Sequence, residues 1–258
     1  MAISDIPKNS STFIALFFLG LLGLASVSWA GPPFETDDPE PTDFGHWEIY
    51  LGLTGLQFQN DFSGTAPFLN LNYGALPDLQ LSLTEQGSFD FPSASIQSYG
   101  LGDSLIGFKY RFIHESADLP QAALFPQVNI PTGDAAKGLG SGQYQFLLPL
   151  WLQKSWGPWT TFGGGGYWFN PGPGNQNWVF LGWEIQRDLS SFFTLGGEIF
   201  YHSANQTGVN DSVGFNLGGF LNFDQVNHIV FSAGRDLLQP EYSFTGYLAY
   251  EWTFPGNE

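Results

Sequence analysis

The chain has no cysteine and a single methionine among its 258 residues. No disulfide staples it and no thiol chemistry is open to it, although an oxidising compartment would permit bridges. Basic residues are also scarce, with 7 Lys and Arg against 24 Asp and Glu and a formal net charge of -17. That balance excludes nucleic acid as a partner, because neutralising phosphates takes a basic face. The third shortage is of long apolar runs. A transmembrane helix needs about 20 consecutive apolar residues, and after the first 30 positions no stretch approaches that length. Whatever is embedded downstream must therefore cross as a closed barrel.

What the chain does have is aromatic side chains, 17% of the residues, including 26 Phe and 9 Trp. Their spacing is informative near the end, where Phe244, Leu248, Tyr250, Trp252 and Phe254 share one parity with Gly246. The intervening Ser243, Thr245, Tyr247, Ala249, Glu251 and Thr253 are mostly small or polar. A strand with one face in lipid and the other in a watery lumen needs this pattern. The reading is all-β: a transmembrane antiparallel up-and-down barrel of about twelve strands in the outer membrane.

The first 30 residues read as a secretory signal peptide. Lys8 precedes an uncharged apolar run from Phe13 to Ala25, followed by Ser28-Trp29-Ala30, which suits a signal peptidase. Cleavage there leaves enough chain for one domain of roughly 200 to 250 residues. Residues 31–43, rich in proline and acid, can form neither helix nor alternating strand and are expected as a periplasmic arm or lumen insert. Residues 44–254 form the expected barrel, and 255–258 a short tail.

Within the barrel, alternating runs are separated by clusters of Gly, Asn, Asp, Ser and Pro. The expected strands are 44–58, 66–76, 79–86, 100–113, 122–130, 143–154, 159–169, 178–186, 192–202, 212–223, 228–236 and 242–254. Leu79, Leu81 and Leu83 against Gln80, Ser82, Thr84 and Gln86 is the cleanest alternation. Pro126, Pro149 and the run Gly163 to Gly166 predict bulges or bends. Barrels of this kind have short periplasmic turns and long outside loops. The long connections, 87–99, 131–142, 170–177 and 203–211, all fall on one side. Trp47, Trp156, Trp159 and Trp252 lie near periplasmic ends, and Trp168 and Trp178 near outer ends, as two aromatic girdles require. The competing architecture is a secreted β-sandwich or lipocalin-like barrel, which buries its aromatics inside.

Four segments carry a family resemblance: Gly31-Pro-Pro-Phe-Glu-Thr-Asp-Asp-Pro-Glu-Pro41, Gly100-Leu-Gly-Asp103 running into Gly107 to Phe112, Pro131-Thr-Gly133, and Trp151 to Gly166. Together they resemble a family described as meta-pathway phenol degradation proteins, often labelled transporters. The resemblance implies an outer-membrane barrel that passes small molecules such as aromatic compounds, and it carries over no ligand or catalytic residue. One departure is that Phe254 is followed by Pro255-Gly-Asn-Glu258, whereas barrel-assembly machinery commonly reads a terminal aromatic.

Parity places Glu48, Asp103, Lys109, Arg111, Glu184, Glu198, His202 and Glu251 in the lumen. One reading is a polar network that neutralises itself, because unpaired charge away from water is costly. The sharper one is that Lys109 and Arg111 face acids across a constriction and set selectivity. Tyr50, Phe200, Phe220 and Tyr247 share the inward parity and narrow the bore, which for twelve strands lies between a side-chain-filled barrel of eight and an open one of sixteen. In the arm, Glu35, Asp37, Asp38, Glu40 and Asp43 offer hard oxygens for calcium but lack the ordered calcium-loop spacing, which favours a solvated arm or plug. Gly163 to Gly166 lacks a following Gly-Lys-Ser/Thr and is no phosphate loop. His46, His114, His202 and His228 show no zinc spacing.

Among enzymes the nearest precedent is a barrel phospholipase with Ser and His on one lipid-facing strand. His202 and Ser203 are adjacent and point to opposite faces, so no nucleophile-base pair is legible. The sequence thus leads to a monomeric, non-enzymatic, porin-like channel without cofactor. Its partners are outer-membrane lipids, barrel-assembly machinery and a small solute that crosses passively. The resemblance implies an aromatic or hydrophobic solute, and if the channel conducts ions a lumen rich in acids favours cations. The alternative is a plugged barrel serving as envelope scaffold, adhesin or docking partner.

Overall fold

A computed structural model describes residues 33–58, 60–93, 96–238 and 243–255. The expected signal peptide and the last three residues of the expected tail lie outside them. The described residues form fourteen strands, β1 (His46–Phe58), β2 (Asp61–Leu76), β3 (Leu79–Phe91), β4 (Ser98–Leu101), β5 (Ser104–Ile113), β6 (Gln121–Leu124), β7 (Gln127–Ile130), β8 (Gln145–Trp156), β9 (Trp159–Phe169), β10 (Trp178–Asp188), β11 (Phe193–His202), β12 (Ser212–Asn222), β13 (Asn227–Asp236) and β14 (Ser243–Pro255). The helical content among them is one 3-10 turn, Ala135–Lys137.

Every neighbouring pair is antiparallel, and β1 closes on β14 from His46↔Pro255 to Phe58↔Ser243. β4 and β5 both pair with β3 and make one stave; β6 and β7 both pair with β5 and β8 and make another. The barrel therefore has twelve staves, as the alternation predicts. Closure leaves no sheet edge, which a hydrocarbon environment would not tolerate.

Side-chain direction follows the pleat. Phe68, Asn70 and Asn72 point inward, whereas Leu69 is exposed on the outer wall. Phe108, Leu150, Leu181, Ile199, Leu217 and Leu248 are likewise exposed on that wall, some 40 to 60% of each remaining uncovered. Such a continuous apolar exterior is a lipid-facing belt. It disposes of the sandwich and lipocalin-like alternatives, which put that face inside.

Several boundaries differ from the sequence expectations. β2 begins at Asp61 rather than 66, and β3 runs to Phe91 rather than 86, so the expected long loop 87–99 contains paired strand. The β2–β3 ladder shifts register between Thr65 and Phe68, flanking Pro67. Pro67 lacks a donor, and Gly64 and Gly87 blur the alternation on either side of the shift. The stave 100–113 is broken at Gly102–Asp103 and the stave 122–130 at Phe125–Pro126, whereas Pro149 lies inside an unbroken β8. The glycine run is continuous strand, and a Cβ on Gly164 would lie 2.0 Å from the Leu150 carbonyl oxygen. Close approach of neighbouring backbone is thus what that position requires.

The girdle expectation is corrected at the outer end. Trp168 and Trp178 stack at 5.4 Å, and Trp178 packs on His202 and on the interior cluster of Phe125, Trp151, Phe180 and Phe200. The outer belt is supplied instead by Tyr167, Phe169 and Phe146. Trp47 with Tyr73, and Tyr250 with Trp252, pair near the periplasmic rim.

Leu217 occupies the middle of β12 with its side chain on the outer wall. Leu217→Arg is expected to destabilise the barrel by about 2–4 kcal/mol, the cost of an arginine at the bilayer midplane. Reversible urea unfolding in lipid vesicles measures it, and a change near zero would place Leu217 away from lipid.

Candidate functional site

The candidate site is the lumen, and the residues that organise it belong to the arm. Residues 33–43 carry three prolines, so no regular strand or helix competes with side-chain bonds to the wall. At the upper end of the described arm, Ser232 Oγ donates to the Pro33 carbonyl at 2.6 Å. Glu198 Oε1 accepts from the Glu35 amide at 2.8 Å, while Oε2 accepts from the Thr36 amide at 2.8 Å and its hydroxyl at 2.6 Å. Asn216 Nδ2 donates to the same carboxylate at 2.7 Å. Thr36 passes so close to β10 that a Cβ on Gly182 would lie 2.1 Å from its Oγ1, so only glycine admits the arm there.

Lower down, Lys109 Nζ bonds Asp37 Oδ1 at 3.0 Å and the Glu40 carbonyl at 3.4 Å, lies 3.6 Å from Asp38 and sits over the Phe125 ring. Burial drives the Asp38 carboxyl well above its usual range against the pull of Lys109. Asp37, nearer and partly solvated, is accordingly the main counter-ion of Lys109. Arg111 bonds Asp78 through Nε and Nη2 at 2.9 and 2.8 Å, and its Nη1 lies 3.5 Å from Glu40. Thr42 then bonds Gln80 Oε1 through both amide and hydroxyl, and Phe44 bridges Gly74 before the chain turns into β1.

The eight residues placed in the lumen by parity do all point inward, but they do not form one ring. Glu184 and Glu198 are register partners on β10 and β11. Glu184 is fully buried beside Gly196, while Glu198 holds the arm and His202 pairs with Glu35 at 3.0 Å near the outer end. Glu251 accepts from the Tyr50 hydroxyl at 3.1 Å, and Glu48 lies on the neighbouring β1. Among the described residues Asp103 pairs with no cation. It accepts from Asn129 Nδ2, from the Gly133 and Ser141 amides and from Ser141 Oγ, which ties the outside loop 131–144 to the strand break. The acids that meet Lys109 and Arg111 come from the arm and from the turn at Asp78, not from the opposite wall.

This arrangement also bears on calcium. Asp37 and Glu40 engage the wall's cations, and among the described residues no cluster of three or more His, Asp or Glu side chains is arranged to hold a metal. Sequence reading did not single out Gln80, Asn216, Ser232 or Asp78. Their inward parity was available for the first three, but their pairing with a segment that has no strand pattern was not.

Two cavities flank the arm. One, of about 660 Å³, opens at the outer mouth among Phe34, Phe200, His202, Val209 and Tyr247. The other, of about 340 Å³, lies along β1 to β5 and reaches Glu40 and Lys109. Thr54 and Tyr247 border both.

No protein-family model matches the chain, and no curated protein is similar to it. Solved structures do match in fold. The COG4313 outer membrane channel from Pseudomonas putida F1 aligns with a TM-score of 0.67 and 16% identity, over 86% of this chain and all of that one. The KdgM porin, in a structure with disordered oligogalacturonate, gives 0.57 at 10% identity over 80% of this chain and 99% of its own. The translocator domain of the autotransporter NalP from Neisseria meningitidis gives 0.54 at 11% identity over 82% and 89%. The fold is thus that of outer-membrane barrels.

Because the chain has no cysteine, one introduced at Pro39, a fully buried arm position, reports on the arm alone. Glu198→Ala deletes the acceptor of three arm donors, each charge-assisted bond being worth about 1.5–3 kcal/mol. Labelling of Pro39→Cys by a water-soluble maleimide is expected to accelerate at least about tenfold in that background. Equal rates would show that Glu198 does not hold the arm.

Proposed function

We propose that this chain is a monomeric outer-membrane channel through which a small solute crosses passively, driven by its own gradient and with no cofactor. The observation that carries the reading is the pair of cavities. One opens outward, the other runs down the wall beside the arm, and Thr54 and Tyr247 border both. A lumen packed solid with side chains, as in the smallest barrels, would leave no such path. The arm is the obstacle between the deeper cavity and the periplasm, held by ion pairs and hydrogen bonds rather than by an apolar core.

The finer features follow from the lining. Glu48, Glu184, Glu198 and Glu251 on the wall, with the arm's acids, outnumber Lys109 and Arg111, and an acidic lumen favours cations. The rings of Phe34, Phe200 and Tyr247 at the outer cavity offer apolar faces to a ring-bearing solute. The second reading, a plugged scaffold, is favoured by the arm itself.

Single-channel recording of the mature chain in a planar bilayer under a salt gradient tests both. Discrete cation-preferring steps are expected, with larger steps from a chain lacking residues 33–43. A folded barrel silent in both forms would leave the scaffold. Changing Lys109 and Arg111 to Gln removes lumen cations and is expected to move the reversal potential further toward the cation limit. An unchanged potential in a folded barrel would remove the pair from selectivity.

A further inference from the structure

The deeper cavity is lined by two kinds of side chain, polar and aromatic. On β2 and β3 a chain of side-chain hydrogen bonds begins at Gln80, whose Oε1 receives the arm's Thr42. Gln80 Nε2 donates to Ser82 Oγ at 2.9 Å, and Ser82 Oγ to Asn72 Oδ1 at 2.6 Å. Asn72 Nδ2 donates to Asn70 Oδ1 at 2.8 Å, and Asn70 Nδ2 to Thr84 Oγ1 at 2.7 Å. All the bonds run in one direction, so each member polarises the next. The ladder also leaves capacity unused. A carboxamide has two N–H donors and two acceptor sites on its oxygen, and this wiring consumes one donor each on Gln80, Asn72 and Asn70. Aromatic rings flank the ladder: Phe68 precedes Asn70 on β2, Tyr50 on β1 is the register partner of Asn70, Tyr247 lies 5.4 Å from Phe68 between centroids, and Phe125 stands at the β6–β7 break.

We infer that this chamber is a binding subsite for a neutral polyhydroxylated ring, a solute of the monosaccharide class; as a step in passage, the inference rests on the channel reading above. A pyranose has apolar C–H faces that lie against aromatic rings and a rim of hydroxyls that both donate and accept. The ladder's spare donors and acceptors match that rim. A flat aromatic molecule would satisfy the rings but leave those amides desolvated without partners. Charge selects against acidic sugars. Lys109 is already committed to Asp37 and the Glu40 carbonyl, and Glu48 lines the chamber, so among the described residues lining it no free cation meets a carboxylate. The volume of about 340 Å³ lies at the small end of the roughly 300–1,000 Å³ of small-molecule pockets. It admits one ring rather than a chain of them. The ladder alone has a structural explanation, the cross-strand pairing of polar residues. What that explanation does not supply is the set of aromatic rings beside the ladder and the empty volume that both border.

Saturation-transfer NMR of glucose on the detergent-solubilised mature chain tests the subsite, with glucuronate and phenol as competitors. Saturable transfer in the millimolar range is expected, undiminished by either competitor. Asn70→Val breaks the ladder and is expected to weaken it on the order of fivefold or more, with folding verified by retained heat-modifiable gel migration. Absence of saturable transfer, equal binding by Asn70→Val, or displacement by phenol would each overturn the assignment, and the wild-type competition decides it if the variant does not fold. Glycine entry into liposomes separates the two readings. Glycine entry without glucose binding sinks the subsite alone; glucose binding without glycine entry keeps the subsite and sinks the channel.

Discussion

The hydrogen-bonded seam between β1 and β14 is the constraint on which the rest of this molecule depends. In hydrocarbon a peptide group cannot bond to water, so a sheet that spans a bilayer must return upon itself with no free edge. Residues 46 to 58 meet residues 255 to 243 in unbroken register, which brings the two ends of the barrel's chain together. Once closed, the pleat leaves no choice about sides. Each stave sends its even or its odd positions into lipid, and whatever remains must fill or line the interior. The lumen's composition is thus fixed by what the exterior cannot accept.

The lumen therefore inherits the electrostatic problem. Four wall glutamates and two wall cations lie inside a narrow space, and buried unpaired charge is costly. The arm resolves part of it in both directions. Its acids meet Lys109 and Arg111, and its backbone amides meet Glu198. A segment with prolines at 33, 39 and 41 suits that task, since its amides are not committed to a ladder and its shape loses little entropy on ordering. The same bonds that neutralise the interior also obstruct it.

Breaks in the ladder serve the same economy. At Gly102–Asp103 the stave interrupts its pairing, and Asp103 turns its carboxylate to the loop 131–144. At Phe125–Pro126 the second break places the Phe125 ring beside Lys109. Bulges near functional interiors re-aim side chains in this way.

The sequence by itself determined the class of fold and the side on which each strand residue lies. Period-two alternation is a local property, and Leu79 to Gln86 or Phe244 to Phe254 display it without reference to any neighbour. It could not set the limits of β2 and β3, because Gly64, Pro67 and Gly87 blur the pattern where the ladder shifts register. Nearness to a rim suggests that Trp168 and Trp178 belong to a girdle, whereas their parity with the buried Phe162 and Glu184 puts them inside. Only the tertiary structure decided the partners. Asp37 lies 72 residues from Lys109 and Thr36 lies 162 from Glu198 in the chain. Contacts of that range arise from closure of the barrel around a segment with no periodicity of its own, and no pattern of spacing encodes them.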